Sequence, residues 1–502
     1  MKLLKFTLLI SLLTISFAEE KEGSSTSASM GSVTMDGKIY NQVAIRPEIP
    51  MGKMGVGLDL YVYFNDEGIY PGNWDFKDGN AFATLVDKVY YLRWGKPGDN
   101  LYFKVGALPS ATLGQGILVN NYSNIMEYPQ VRRVGLDFKM KFMKQFGVEL
   151  IHSNFKKSSP GVLATRFSYD PFPRLSLGLS YVTDLDQNQG LSNRDGDDYP
   201  DYFDHFPDDA NQFSEALSDT SVTNYYTYLW ETYVEPAQDT ENPEYSDYES
   251  FFAAQKLNHN TFVPLGTSDN NPVSGLSLDL VLKLSKRAYI YSQYGQLIGE
   301  TSDVNGNETA LGYGLVPIGL FSKFGPINFR GEYRMQSENF LFSYWDQAYD
   351  LNRAIAQDGI ILTKESQLYR YGELQGLFLN LNSNIMDLIS LDVSYQNMSG
   401  KVWDETTSEL VDDANQTLMG KISLNTRKIA KVDVAEAFYQ QSNVTNPFDF
   451  DPNESSISGY NLGFEVSAGM TLMYKSRTTY VLNESGTFDP VSSMQIETQI
   501  KL

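Results

Sequence analysis

The chain has no cysteine and only three histidines, and beyond its first eighteen residues it has no apolar run near the ~18 residues a membrane helix needs. Without cysteine there is no disulfide framework, no lipid-modified N-terminus, no thiol nucleophile and no thiolate metal site. Histidine is confined to His152, His205 and His259. The sequence also lacks a Gly-x-Ser-x-Gly elbow, a His-Glu-x-x-His pair, a phosphate loop and a dinucleotide fingerprint, so no enzyme is expected. Basic residues are few: 39 Lys and Arg stand against 62 Asp and Glu, a net charge of -23 that argues against nucleic acid or other polyanions as partners. What the chain has instead is tyrosine and phenylalanine, 33 and 29 residues against 5 Trp.

The N-terminus carries Lys2 and Lys5, an apolar run from Leu8 to Phe17, and Ser16-Phe17-Ala18 ahead of Glu19 and Glu20. This reads as a secretory signal peptide over residues 1–18, followed by a flexible segment over 19–32. With no later membrane helix expected, the choice lies between a soluble secreted β protein and a β-barrel.

Alternation of period two marks many strands. Val134, Leu136, Phe138, Met140 and Phe142 form one face, with Gly135, Asp137, Lys139 and Lys141 opposite. The same pattern runs through Met54 to Phe64, Leu276 to Leu284 and Ile327 to Met335. Tight turns such as Gly95-Lys96-Pro97-Gly98 and Phe324-Gly325-Pro326 alternate with long polar stretches such as 65–83, 184–274, 337–368 and 442–458. Short turns on one rim and long loops on the other fit an all-β chain folded as a single transmembrane antiparallel β-barrel over 33–502. We expect about 18 strands, within 16 to 20. Nineteen segments alternate, and an even number requires either merging two or adding a short strand over Met30 to Met35, ahead of the turn dipeptide Asp36-Gly37.

The last segment alternates Met494, Ile496, Thr498, Ile500 and Leu502 against Gln495, Glu497, Gln499 and Lys501. It resembles the C-terminal assembly signal of bacterial outer-membrane barrels, although those commonly end in an aromatic residue and this one ends in Leu502. The resemblance implies a porin-like protein of the cell outer membrane, with the lipid bilayer and the barrel-assembly machinery as partners. About 18 strands enclose an aqueous lumen, so passage of small hydrophilic solutes is the expected function. The alternative is a surface adhesion or assembly protein that uses the barrel as an anchor. Oligomeric state is not legible.

Charge is concentrated in one insertion. Residues 184–275 carry 19 Asp and Glu against Arg194 and Lys256, which is -17 and leaves -6 for the rest. Within it, Asn193, Asp195, Asp197, Asp201 and Asp204 occupy positions 1, 3, 5, 9 and 12 of a twelve-residue loop, with the Tyr199 carbonyl as a further oxygen. That spacing gathers the hard oxygen ligands Ca²⁺ requires. The stretch resembles a thrombospondin type 3 calcium repeat over some seventeen residues, with Asp198 where that pattern has glycine. A structural Ca²⁺ is therefore expected here. Tyr225, Tyr226, Tyr228, Leu229, Trp230, Tyr233, Tyr248, Phe251 and Phe252 could form a small core in the same insertion.

Inside the barrel, Arg133, Asp137, Lys139, Lys141, Arg330, Glu332 and Arg334 are expected to face the lumen, with His152 as lumenal filler. Their signs mix, so no ion preference follows. The glycine- and asparagine-rich segment Leu108 to Pro129 could narrow the lumen, but reads more simply as a surface loop.

Overall fold

The structure is a computed structural model that describes residues 25–193 and 271–501, apart from scattered turn and loop residues (chiefly 71–83), and parts of 200–251. Among the described residues, twenty barrel strands form one antiparallel sheet: β1 Ser25–Met35, β2 Lys38–Met51, β3 Met54–Leu58 continuing as Leu60–Asn65, β4 Val89–Trp94, β5 Leu101–Gly106, β6 Gly135–Phe142, β7 Phe146–His152, β8 Leu163–Phe172, β9 Leu175–Asp184 and β10 Val273–Lys283. The second half comprises β11 Ala288–Ile298, β12 Tyr313–Phe324, β13 Ile327–Gln336, β14 Tyr371–Ile385, β15 Ile389–Asp404, β16 Glu409–Leu424, β17 Val432–Val444, β18 Ile457–Ser467, β19 Met470–Leu482 and β20 Phe488–Lys501. Each pairs with its neighbours in sequence, and β1 pairs with β20 from Ser27 opposite Lys501 to Gly31 opposite Glu497, closing the ring. Closure removes the unpaired edges an open sheet would expose.

The count is the upper end of the expected range, and the strand over Met30 to Met35 is the one that makes it even. It begins earlier still: residues 25–32, expected to be flexible, belong to β1. An even count puts both strand ends on one rim. At that rim no connection exceeds the seven residues 425–431, whereas 66–88, 107–134, 153–162, 185–272, 299–312, 337–370 and 445–456 all leave from the other.

The outward face is apolar and uncovered. On β10, Leu276, Leu278, Leu280 and Leu282 are 36–50% exposed, while Ser277 and Asp279 between them are buried. Leu177, Leu179, Leu377, Leu379, Tyr460 and Phe464 continue this exposed surface on other strands. Burying one leucine is worth about 1.5–3 kcal/mol, so a wall that turns rows of them outward is stable only against an apolar medium. The sheet is a membrane-spanning barrel on that argument. Among the described residues no helix is long and apolar enough to cross a membrane.

Candidate functional site: a loop-lined lumen

Among the described residues the largest apolar cluster lies inside the ring and is built mainly from two loops. Ala111, Leu113, Ile117, Leu118, Val119 and Tyr122 of the 107–134 loop pack with Phe340, Phe342, Tyr344, Trp345 and Tyr349 of the 337–370 loop. Both rest on inward side chains of the wall, among them Ile151, Ala164, Val281 and Tyr291. Segment 108–129 is therefore not the surface loop its sequence suggested. It folds into the lumen.

Backbone bonds shape and join the loops. Ala111 and Tyr122 exchange two hydrogen bonds of 2.8 Å, which pins the first loop as a narrow hairpin. Asn124, fully buried, accepts from the Leu108 N–H at 2.7 Å and donates to the carbonyls of Gly106 and Ser153. Ser343 N–H donates to Ile117 at 2.8 Å and Trp345 N–H to Leu118 at 3.0 Å, while the Trp345 carbonyl accepts from Asn120 at 3.2 Å. These bonds satisfy backbone groups that burial would otherwise strand.

A buried polar network ties the loops to the rim. Asp184, at the end of β9, accepts from Arg353 Nη1 at 2.8 Å, Tyr349 Oη at 3.0 Å and Ser159 Oγ at 2.6 Å. Tyr122 Oη donates to Asp350 at 2.6 Å. Gln187, just beyond β9, donates to Glu365 Oε2 at 2.9 Å and accepts from Tyr344 Oη at 3.0 Å. Burial, opposed only by the Gln187 amide, pushes the Glu365 carboxyl up to about 7.

The wall beneath the loops is charged, and its charges are paired. Arg166 donates to Asp279 at 3.0 and 2.7 Å and to Glu149 at 2.8 Å. A β-carbon on Gly178 of the intervening strand would collide with that pair, which explains the glycine. Glu332 accepts from Arg330 and from Arg334, the latter at 2.7 Å, and Arg330 also donates to the Gln115 carbonyl of the inserted loop. A second cluster sits on β3, where buried Asp59 accepts from Arg46 at 2.9 Å and also from Arg132 and Tyr128.

The inner wall from β14 onward is different. Asn380 of β14 pairs across with Arg330 on one side and Ser394 on the other, so its face is lumenal. It donates to Asp392 and Ser394, each at 2.8 Å. Asp392 lies opposite Lys421, Lys421 meets Glu436 at 2.8 Å, and Glu436 accepts from Asn461 at 3.1 Å. Lys475 follows opposite Asn461. Asp392 and Lys421 are exposed, whereas Asp279, Glu332 and Arg334 are at most 8% exposed. With the outward face set by the leucines, this exposure faces the lumen: one side of it is filled and the other is a bare polar wall.

Of the residues singled out in the sequence, Asp137, Lys139, Lys141, Arg330, Glu332 and Arg334 do share the lumenal face of β6 and β13, and Arg133 reaches Asp350 of the second loop at 3.5 Å. His152 does not. It pairs opposite Leu136 and Leu163 on the outward face and stacks on Phe155 at 4.2 Å, because β7 places Glu149 and Ile151 inward. His205 and His259 lie outside the described residues, as do residues 1–18, expected to be a signal peptide, and Asp195, Asp197 and Tyr199 of the expected calcium loop. Asp201 accepts from Ser192 Oγ at 2.7 Å, and Asp204 accepts from the Phe206 N–H at 2.8 Å. Asn193 is described as well, but the ligands between it and Asp201 are not. Within the insertion, Phe251 and Trp230 are buried with ring centroids 5.5 Å apart, and Tyr248 joins them at 6.3 Å from Trp230.

The loops that fill the lumen were the part sequence reasoning missed. The available signal was Phe340-Leu341-Phe342-Ser343-Tyr344-Trp345, an apolar run in a loop with no strand alternation to use it.

No protein-family model matches the chain, and no curated protein does. Among solved structures it is similar to Pseudomonas aeruginosa OccK3 (OpdO), at 9% identity and TM-score 0.36 over 96% of each chain. OccK5 (OpdH) of the same organism gives 9% and 0.35 over 95% of this chain and 97% of that one. Escherichia coli Wzi, an outer-membrane carbohydrate-binding β-barrel involved in capsule assembly, gives 10% and 0.30 over 99% and 88%. The overlap is long and loose, and the barrel stands on its own strand pairing.

Proposed function

We propose that the protein is a porin-like channel of an outer membrane that admits small hydrophilic solutes through a lumen narrowed by the 107–134 and 337–370 loops. The observation that carries this reading is the asymmetry of the inner wall. Apolar packing fills one side, and an exposed track of Asn380, Asp392, Lys421 and Glu436 lines the other. Polar groups spaced along a wall can exchange hydrogen bonds with a passing hydrated solute without holding it. The barrel-assembly machinery would place such a chain in the membrane. Conductance of the purified protein in planar bilayers tests the channel: steady ohmic steps support it, and clean insertion without conductance overturns it.

We also propose that Asn193, Asp195, Asp197, Asp201 and Asp204, with the Tyr199 carbonyl, hold a structural Ca²⁺ that stiffens the acidic insertion. The support is the oxygen spacing alone. Calorimetric titration with Ca²⁺ should show saturable binding that Asp195→Asn/Asp197→Asn abolishes; no heat of binding to the native chain would refute it.

A further inference from the structure

The outward face carries a cleft of 570 Å³ at the long-loop end of β12, β13 and β14. Its position follows from strand parity. Met335 pairs with Leu315 and with Gln375, on the same face as Tyr333 opposite the exposed Leu377, so all of these point away from the lumen. The level deeper in the wall is formed by Leu315 and Met335 with Gln375 beside them, and Tyr313 lies two residues nearer the rim, where its carbonyl accepts from the Ser337 N–H. Tyr313 stacks on Tyr294 at 5.8 Å, and Tyr333 Oη donates to Gln375 at 3.0 Å, so tyrosines flank the cleft as they do at the interfacial girdles of membrane barrels. The upper part is polar and carries two exposed carboxylates, Glu338 and Glu373. Among the described residues neither has an ion-pair partner.

We propose that this cleft binds one membrane lipid, with an acyl chain along Leu315 and Met335 and an amine-bearing headgroup against Glu338 and Glu373. The proposal rests on the membrane-spanning reading of the barrel. Two arguments select the occupant. An apolar groove on a lipid-facing wall meets acyl chains before anything else, and two unpaired carboxylates at its upper end complement a cationic headgroup and repel an anionic one.

The experiment is lipid retention by native mass spectrometry, after reconstitution of the full chain with equal phosphatidylethanolamine and phosphatidylglycerol. We expect one retained phosphatidylethanolamine, in preference of about fivefold, the scale of two exposed ion pairs, and loss of that preference in Glu338→Gln/Glu373→Gln. Equal retention of the two lipids by the native chain overturns the proposal, as does an unchanged preference in the double variant. Flotation with vesicles separates the two readings. A chain that does not float defeats the membrane reading and the lipid site together, whereas one that floats and retains both lipids equally defeats the lipid site alone.

Discussion

Trp345 and Val119 lie side by side in a parallel bridge, with the Trp345 N–H and carbonyl bonded to the residues on either side of Val119. Both side chains are buried, Trp345 fully and Val119 to 1% exposure. One loop thus holds the other against the inner wall.

Trp345→Ala should release the pair. Truncating a buried tryptophan costs about 3–5 kcal/mol, most of it here falling on loop docking and not on the sheet. Single-channel conductance should rise and become noisy, while the electrophoretic mobility of the folded, unheated barrel should match that of the native chain. Unchanged conductance would mean that the loops do not set the bore.

The sheet was legible because its sequence pattern and its environment agree. Leu276 to Leu284 alternates with Ser277, Asp279, Val281 and Lys283 since one face meets lipid and the other the lumen, and the register follows from that alternation. β1 was only half visible: Ser25-Thr26-Ser27-Ala28-Ser29 carries no apolar face, and it becomes strand through pairing with β2 and β20. The lumenal loops were not legible because their partners are remote. Nothing near Gly114 or Asn120 announces Trp345, and Asn124 looks like any loop asparagine until its three buried bonds are seen. The polar wall was read correctly as lumenal, but which part of it the loops cover depends on packing that periodicity does not encode.

Asp184 and Arg353 are buried together, and removing one leaves the other charge without its counterion. Arg353→Met should cost about 3–5 kcal/mol on this account. The effect should appear as protease cleavage within 337–370 under conditions where the native loop resists. Adding Asp184→Asn to the same chain should recover part of the loss, since the orphaned carboxylate is then gone. A double variant as sensitive as the single one would show that packing, and not the uncompensated charge, dominates.

Glu365 predicts a pH dependence. Its carboxyl is raised from 4.5 to about 7 when the loops are docked, so the docked state binds the proton more tightly than the open one. Docking is strongest below the open-state value and weakens as pH climbs through the docked value, with a total change on the order of 3 kcal/mol. Amide exchange in 337–370 should therefore be slower at pH 5 than at pH 8, after correction for the intrinsic rate. Glu365→Gln should remove most of that difference. A corrected exchange rate that is flat with pH in the native chain would contradict the assignment.

The covered and uncovered walls should respond differently to charge. Lys421 is half exposed in its pair with Glu436, so breaking that pair costs no more than about 1 kcal/mol and the barrel should tolerate Lys421→Glu. The substitution puts two extra negative charges' worth of change on the bare wall, and the reversal potential in a salt gradient should move toward cation preference. Arg330→Gln alters charge beneath the inserted loop and removes its bond to the Gln115 carbonyl. It should increase current fluctuation and leave selectivity near the native value, because the Arg330 side chain is only 22% exposed and lies under the loop. If the two variants shift the reversal potential per unit charge alike, ions reach both walls, and the lumen is not divided as the packing divides it.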